Sequence, residues 1–403
     1  MSGILHVWPE ETREIGPFVE WKAEIEREGA ERRLLWYRMP ASEAPSLSDS
    51  TDAFAIATVF SAMRHADTLH VHGPVSPTLI RNLNEFQTAW SRWLPDRYRI
   101  ADIRADDERE EPPSTESRAV MAFSGGLDSS FTAWRHTQGC VGRPQQELTA
   151  ALMVHGFDIP LTERPMFARA AENSRYMLES IGLKSLTMTT NFREFGDDWE
   201  DAHGAAIVSA LHLLKGSYGS CVVASSHTYD TLRLPWGSNP ITDTMLASAH
   251  FKVSHDGCGF SRKEKAREVA AWPEAMKRLR VCWEGPEKDR NCGTCLRCVG
   301  TAICFAVERK ALPESLPVGD LATAIQNLSS RHHLPPASVT RLAELLADAI
   351  DARIEAPWVS SLRDLVTQKQ EHLSGAHPAS KNRLPRQVWR LQGLLNRLAK
   401  KIV

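Results

Sequence analysis

The sequence predicts an α/β protein with a doubly wound, mainly parallel sheet, an N-terminal α/β accessory domain and a helical C-terminal region. Between residues 118 and 306, short apolar runs alternate with helical segments, which is typical of parallel strands connected by helices. A glycine-rich loop follows the first run, and four cysteines near the end of this region predict a zinc knuckle. At 403 residues, the chain is long enough for two or three domains.

The amino-acid composition gives no sign of a membrane protein or of a protein that binds nucleic acid through its overall charge. The chain is 42% apolar and 24% charged, as in an average globular protein, and its formal net charge of -2 gives no global attraction to nucleic acid or membranes. No apolar run is long enough to cross a bilayer, and the N-terminus lacks the basic and apolar regions of a signal peptide. We therefore expect a cytoplasmic protein without a membrane span.

Residues 1–104 are predicted to form the accessory domain, and we find no chemical motif in them. The predicted elements there are strands at Leu34–Tyr37, Thr68–Val71 and Arg97–Ile103 and a helix at Ser76–Trp93. Residues 105–117 are acidic, contain two prolines and predict a linker. Residues 307–403 are predicted to be helical, with a helix at Ala337–Arg353, a flexible segment at His372–Lys381 and a basic terminal helix at Arg386–Ile402.

The central region, 118–306, carries the alternating pattern. Its predicted strands are Ala119–Phe123, Leu148–Val154, Leu186–Thr189 and Ser220–Ala224. Its predicted helices begin near Ser129 and cover Pro165–Ile181 and Ala205–Leu214.

A phosphate-binding loop is predicted where the first strand meets the first helix. Two glycines allow backbone angles closed to other residues, so that their N–H groups can surround an anion at the helix N-terminus. The residues predicted to bind the nucleotide are Ser124, Gly125, Gly126, Leu127, Asp128, Ser129 and Ser130. Asp128 would repel phosphate unless it holds Mg²⁺. The alternative is a simple Gly-Gly turn in which Asp128 caps the helix.

The six residues Ser-Gly-Gly-Leu-Asp-Ser resemble the signature of the PP-loop ATP pyrophosphatases. The resemblance implies a PP-loop fold of the HUP type and a reaction in which a substrate oxygen attacks the α-phosphate of ATP, pyrophosphate leaves and a nucleophile attacks the adenylated carbon. Asp128 and Ser129 would then be catalytic. His155 and Asp158, at the predicted carboxyl end of the next strand, are expected to meet the nucleotide, or else to form an ordinary polar turn.

The cysteine cluster predicts a metal site. Cys282, Cys292, Cys295 and Cys298 offer four thiolates, the usual ligand set of structural Zn²⁺, and an iron–sulfur cluster is the main alternative. Together with the loop, this cluster resembles the 7-cyano-7-deazaguanine synthase (QueC) branch. The resemblance covers about residues 118–306 and implies that zinc fixes the wall of a substrate pocket.

Two features depart from that branch. The segment Leu234–Asp243 is polar and glycine-containing, as a binding loop would be, but its sequence differs from the family's substrate-binding segment. Arg262 stands where relatives often have lysine. It is predicted to stabilise polyphosphate, with a surface salt bridge as the alternative.

These observations predict an AMP-forming C–N ligase that uses ATP, Mg²⁺ and Zn²⁺ on a small molecule, for example a deazapurine, or on a protein or peptide terminus. No glutaminase is visible, so the donor would be ammonia or an amine. A sulfurtransferase acting on tRNA or a small molecule is an alternative and needs a nucleophile, Cys258 or Cys221. A nucleotide-binding subunit of a defence or secondary-metabolite assembly is another. Homodimerisation is left open, and nucleic-acid binding is not favoured.

Overall fold

The computed structural model describes residues 3–330 and 334–375. The chain divides into two compact units, Met1–Ser261 and Arg262–Val403. This division differs from the predicted boundaries, which lay at the ends of residues 104 and 306. The predicted basic helix Arg386–Ile402 lies outside the described residues. The predicted flexible segment begins inside a helix, and only its residues 372–375 are described.

The first unit contains an eleven-stranded mixed sheet and five α-helices in the described part of the chain. The strands are β1 Ile4–Pro9, β2 Arg13–Ile15, β3 Phe18–Arg27, β4 Arg33–Pro40, β5 Thr68–Val75, β6 Asp102–Glu108, β7 Arg118–Ala122, β8 Glu147–His155, β9 Lys184–Thr190, β10 Ser220–Ala224 and β11 Lys252–Asp256. The helices are α1 Asp52–His65, α2 Pro77–Trp93, α3 Leu127–Thr137, α4 Arg164–Glu179 and α5 Trp199–His212. Short 3₁₀ helices cover Phe192–Phe195 and Asp243–Leu246.

One half of the sheet is parallel and alternates with helices. Its order is β11-β10-β7-β8-β9, and every neighbouring pair in it is parallel. The strands and helices predicted for this half are present, with boundaries shifted by a few residues; α5 begins earlier than predicted. The α/β class is therefore confirmed, and the topology is compatible with a doubly wound arrangement.

The other half of the sheet continues the order as β4-β3-β1-β5-β6, with β2 paired to β3. Antiparallel pairing of β4 with β9, at Tyr37↔Thr190 and Arg38↔Thr189, joins the two halves. The predicted accessory domain therefore shares one sheet with the region that follows it. It also shares a core, because Leu5 and Tyr37 belong to the same buried apolar cluster as Val120 and Leu186.

Two details around residues 97–117 differ from the prediction. The last strand of this half begins at Asp102, not Arg97, and runs to Glu108, into the predicted linker. Tyr98 is buried, and its hydroxyl donates to Asp201 of α5 at 2.8 Å. The residue is therefore held against a helix and is not part of a strand. As an edge strand, β6 tolerates the charged residues that made the segment resemble a linker.

The described part of the second unit is helical, and the cysteine-bearing knuckle region lies between its second and third helices. Its helices are α6 Arg262–Val269, α7 Pro273–Arg278, α8 Leu296–Val307, α9 Leu321–Ser329, α10 Pro336–Asp351 and α11 Pro357–Gly375. The helix predicted at Ala337–Arg353 corresponds to α10. Across the described residues, no helix combines the length and the apolar character needed to cross a membrane.

A close backbone approach in the first unit generates a stability prediction. A Cβ atom at Gly204, in α5, would lie 2.0 Å from the carbonyl oxygen of Gly237. We expect Gly204→Ala to lower the free energy of unfolding by about 1–3 kcal/mol through overpacking. Gly300→Ala is the matched control, because Gly300 lies in α8 with open space at its Cβ position; it should raise stability by about 0.5–1 kcal/mol.

Urea unfolding of both variants, followed by tryptophan fluorescence, measures the two changes against the unsubstituted protein. Equal effects of the two substitutions would contradict the close approach between α5 and the Gly237 segment.

Candidate functional site

The strand order places one crevice at the centre of the parallel half of the sheet. From β7 the chain proceeds to β8 and β9 on one side, and then returns to β10 and β11 on the other side. The carboxyl ends of β7 and β10 therefore leave their loops on opposite sides of a topological switch point. In open α/β sheets, ligands bind in the crevice at this position. The loop after β7 is the predicted phosphate-binding loop.

The loop itself is tightly folded. Gly125 has φ +72°, a left-handed conformation that favours glycine, and Gly126 precedes the first residue of α3. The hydroxyl of Ser124 accepts from the N–H of Gly126 at 3.3 Å and lies 3.3 Å from the hydroxyl of Ser129. The Ser129 hydroxyl donates to the carbonyl of Gly126 at 3.2 Å. These bonds curl the backbone around the N-terminus of α3, as an anion-binding loop requires.

The side chains of the loop residues differ in burial. Leu127 and Ser130 are buried, Asp128 is half-buried and Ser124 is exposed. Among the described residues, the buried hydroxyl of Ser130 has no hydrogen-bond partner, although such groups are nearly always paired. An oxygen-rich ligand in this position would satisfy it. Leu127 is also predicted to bind the nucleotide. It is 1% exposed, so it can contact a nucleotide only through its backbone.

The middle and C-terminal part of α3 is held by a carboxylate from another strand. Asp256, the last residue of β11, accepts from the hydroxyl of Thr132 at 2.9 Å and lies 3.5 Å from nitrogens of Arg135 and His136. Burial would raise the pKa of Asp256, but His136 and Arg135 outweigh it, and the pKa is lowered. The charged carboxylate therefore fixes α3, and with it the loop, to the far side of the crevice. Sequence reasoning missed Asp256.

His155 and Asp158 lie at the carboxyl end of β8, as predicted. The Nε2 atom of His155 lies 2.9 Å from the carbonyl of Pro160, and its ring stacks on Phe167 at 4.4 Å. Burial lowers the pKa of His155, so the ring is neutral at neutral pH and its N–H donates to this carbonyl. These contacts stabilise the turn after β8, which favours the structural interpretation of His155. Its contact with a nucleotide stays a prediction.

A second polar cluster follows β10 and β11. The Nδ1 atom of His255 lies 2.7 Å from Asp243 Oδ2, and both side chains are almost fully buried. Burial would lower the pKa of His255, but Asp243 and the nearby thiol of Cys258 outweigh it and raise the pKa to about 9. The Cys258 sulfur also lies 3.1 Å from the hydroxyl of Ser225. A carboxylate, an imidazole and a thiol thus lie near one another, and these are the group types that activated cysteine nucleophiles use.

The unusual segment Leu234–Asp243 supplies the carboxylate of this cluster. Asp243 accepts from the hydroxyl of Ser238 at 2.7 Å and from the N–H of Asn239 at 3.1 Å. Gly237 donates its N–H to Glu200, so the segment rests on α5. Much of its polarity therefore serves to position Asp243, a role that the sequence pattern did not reveal.

The four cysteines of the second unit converge. Cys282 Sγ lies 3.5 Å from the sulfurs of Cys292 and Cys295, and Cys292 Sγ lies 3.9 Å from that of Cys298. Four thiolates around one Zn²⁺ lie about 3.8 Å apart, given Zn–S bonds of about 2.3 Å. In an iron–sulfur cluster the four thiolates are divided among two or four irons, so they do not all surround one ion. The geometry thus fits one tetrahedral ion, and the group could hold Zn²⁺.

Local structure prepares this knuckle for a metal. Hydrogen bonds, first with Cys298, lower the pKa of the Cys295 thiol to about 5, which favours the metal-binding thiolate. Gly293 has φ +76°, and a Cβ atom there would lie 2.1 Å from the carbonyl of Pro317. Buried Asn291 bonds the backbones of Val281, Leu279 and Ser315 and so ties the knuckle to its flanking chain. Sequence reasoning missed Asn291.

Arg262 begins α6 in the second unit. Its guanidinium lies 3.5 Å from the hydroxyl of Thr301 in α8. This hydrogen bond links two helices of one unit. The role of Arg262 in stabilising polyphosphate stays a prediction.

Comparisons with protein-family models, curated proteins and solved structures found no match to this chain.

The cysteine geometry predicts that one zinc ion is bound by the four-cysteine cluster. Cys295→Ser should lose most of its bound zinc, because three thiolates and a hydroxyl hold Zn²⁺ less well than four thiolates. Cys140→Ser is the matched control, since Cys140 is exposed and outside the cluster. Metal analysis of the purified variants measures the change. Equal zinc in both variants would contradict the assignment.

Proposed function

We propose that this protein is an ATP-dependent ligase of the PP-loop ATP pyrophosphatase type, similar to the 7-cyano-7-deazaguanine synthase branch. It adenylates a carboxylate or amide oxygen and installs nitrogen at the activated carbon. One observation carries the proposal: the loop Ser124–Ser129 curls around the N-terminus of α3 at the switch point, with the unpaired Ser130 hydroxyl buried beneath it.

The chemistry follows from what such a loop can bind. A substrate carboxylate oxygen attacks the α-phosphorus of ATP, the bond to the β-phosphate oxygen breaks, and pyrophosphate leaves. The N–H groups of the loop and the helix N-terminus would stabilise the negative charge on pyrophosphate. Asp128, in the first turn of α3, would bind Mg²⁺ that neutralises the same phosphates. Ser124 and Ser129 would donate hydroxyl hydrogen bonds.

Nitrogen enters in the second half of the reaction. Ammonia or an amine attacks the carbonyl carbon of the acyl adenylate, AMP leaves with the carboxylate oxygen, and the nitrogen loses a proton. The acceptor is proposed to be a planar deazapurine acid, other small acids and a protein or peptide terminus being the alternatives. Zn²⁺ on the four cysteines would maintain the fold of the knuckle, since a tetrahedral four-thiolate site has no open coordination position.

Replacement of the loop carboxylate tests the proposal. Asp128→Ala should reduce formation of AMP and pyrophosphate at least ~10²-fold, a typical loss when a group that stabilises transition-state charge is removed. The assay contains ATP, Mg²⁺, an ammonium salt and a deazapurine carboxylic acid. Asp67→Ala, an exposed position in the same unit, is the matched control and should retain full activity.

Circular dichroism checks that both variants remain folded. Unchanged pyrophosphate release by Asp128→Ala would rule out the assigned role of this residue. If the unsubstituted protein forms no AMP with any acceptor, a non-catalytic nucleotide-binding subunit becomes the better interpretation.

A second candidate function is sulfur transfer, and the position of Cys258 favours it. The thiol lies beside His255, which Asp243 holds, so the imidazole can stabilise a thiolate. A donor of the persulfide class would first transfer its outer sulfur to the Cys258 thiolate and leave as a thiolate. The outer sulfur of the Cys258 persulfide would then attack the adenylated carbon and displace AMP. A second thiol would attack the Cys258 sulfur, releasing the thiolated product and leaving Cys258 in a disulfide with that thiol. Cys221 is unsuited to this role, because it is fully buried in β10 and burial raises its pKa.

Two cysteine variants separate the candidates. For a sulfurtransferase, Cys258→Ser should abolish thiolated product while exchange of pyrophosphate into ATP continues; for the ligase, nitrogen incorporation should survive the substitution. Cys221→Ser is the matched control and should be active in both cases. Product mass spectra with ammonium and with a low-molecular-weight persulfide as donors, the latter with an added thiol, give the readout. Loss of pyrophosphate exchange in Cys258→Ser would show instead that the cysteine supports the nucleotide site.

A further inference from the structure

A cluster of histidines lies in the first unit on strands remote in sequence from the phosphate-binding loop. Parallel pairing of β1 with β5 puts His6 directly opposite His70, and His72 follows two residues later on the same face. The ligand nitrogens of these three side chains lie within 4.8 Å of one another. The sequence signal was the His-x-His spacing on a strand, which directs both imidazoles to one face.

Packing does not account for these histidines. The residues that alternate with them, Leu5, Val7, Leu69 and Val71, form the buried core beneath the sheet. The histidines occupy the opposite face, and each is partly exposed. The three imidazoles on this partly exposed face are therefore not core residues. They are candidate metal ligands, because imidazole is the commonest metal-binding side chain.

The nitrogens are arranged as metal ligands. His6 Nδ1 lies 2.9 Å from His72 Nε2. Nitrogen ligands of one tetrahedral Zn²⁺ lie about 3.4 Å apart, given Zn–N bonds of about 2.1 Å. Small side-chain rotations therefore bring the three nitrogens to bonding distance, while the paired strands keep their Cα atoms in place.

A carboxylate orients two of the rings. Asp106 of β6 lies 2.7 Å from His70 Nε2 and 3.1 Å from His72 Nδ1. When these nitrogens donate to the carboxylate, the lone pair of each ring is left on its other nitrogen. In His72 that nitrogen is Nε2, which faces His6. Carboxylates that orient metal-binding histidines in this way are a regular feature of metal sites.

An aromatic side chain shields the cluster. The ring of Trp8 stacks on His72 at 4.9 Å with an interplanar angle of 4°, and on His6 at 4.9 Å with an angle of 18°. The guanidinium of Arg32 lies over the same indole, 4.7 Å from its centroid. The stack restricts rotation of both imidazoles, so less side-chain entropy is lost when a metal binds.

We infer that His6, His70 and His72 form a binding site for a divalent transition metal such as Zn²⁺, distinct from the four-cysteine group. Three neutral nitrogen ligands suit Zn²⁺, Co²⁺ or Ni²⁺ rather than Mg²⁺ or Ca²⁺, which prefer oxygen. Three protein ligands leave a coordination position for water or for an oxygen of another molecule, as in zinc sites that are not purely structural. Asp106 is a positioning residue.

Metal titration tests the inference. Protein whose cysteine cluster is already filled with Zn²⁺ is titrated with ZnCl₂ in a calorimeter and, separately, with CoCl₂ by visible spectroscopy. One further equivalent should bind, and its cobalt spectrum should lack the thiolate-to-cobalt charge-transfer band. The double variant His70→Gln/His72→Gln should lose this equivalent. His65→Gln is the matched control, because His65 is exposed in α1 and outside the cluster.

A second variant separates positioning from ligation. Asp106→Asn should keep the extra equivalent but weaken its binding by about 10- to 100-fold, the usual effect of losing the partner of a metal-binding histidine. Zinc binding that is the same in the double variant and in the unsubstituted protein would overturn the site. A charge-transfer band in the added cobalt spectrum would overturn it as well, because the metal would then be bound by cysteine.

Discussion

The central position of β7 in the parallel half of the sheet is the constraint on which the candidate site depends. The chain leaves β7 in one direction and returns to its other side through β10, so the loops after these strands diverge and leave a crevice. The loop Ser124–Ser129 enters this crevice at the N-terminus of α3. Asp256 then holds the helix from the end of β11, which keeps the loop in position.

The same edge of the sheet carries two kinds of chemistry. The loop after β7 offers N–H groups and hydroxyls, which suit phosphate. Strand β11 and the loops after β10 and β11 offer His255, Asp243 and Cys258, and the buried pair of Asp243 and His255 is held together by a 2.7 Å contact. Adenylation needs only the first set, and a nucleophilic cysteine needs the second. Because both sets of groups lie at one edge of the sheet, the same unit supports two proposals, ligation and sulfur transfer.

The antiparallel contact between β4 and β9 makes the first 108 residues part of this unit. The contact involves two residue pairs, but the shared apolar core beneath it and the bond between Tyr37 and Ser209 extend the junction. The predicted boundary near residue 104 does not coincide with the division between the two compact units, because a sequence pattern records the strands but not which of them pair. The three histidines of β1 and β5 are consequently carried on the same sheet as the phosphate-binding loop.

Local signals alone determined the alternating strands and helices after residue 118, the glycine turn at the start of α3 and the cysteine cluster. Each depends on residues close in the chain, where periodicity, glycine conformation and ligand spacing act directly. Tertiary structure alone decided the switch point, the approach of Cys258 and Asp243 to His255, and the pairing of His6 with His70. These depend on strand order and long-range burial, which bring together residues that no local pattern connects.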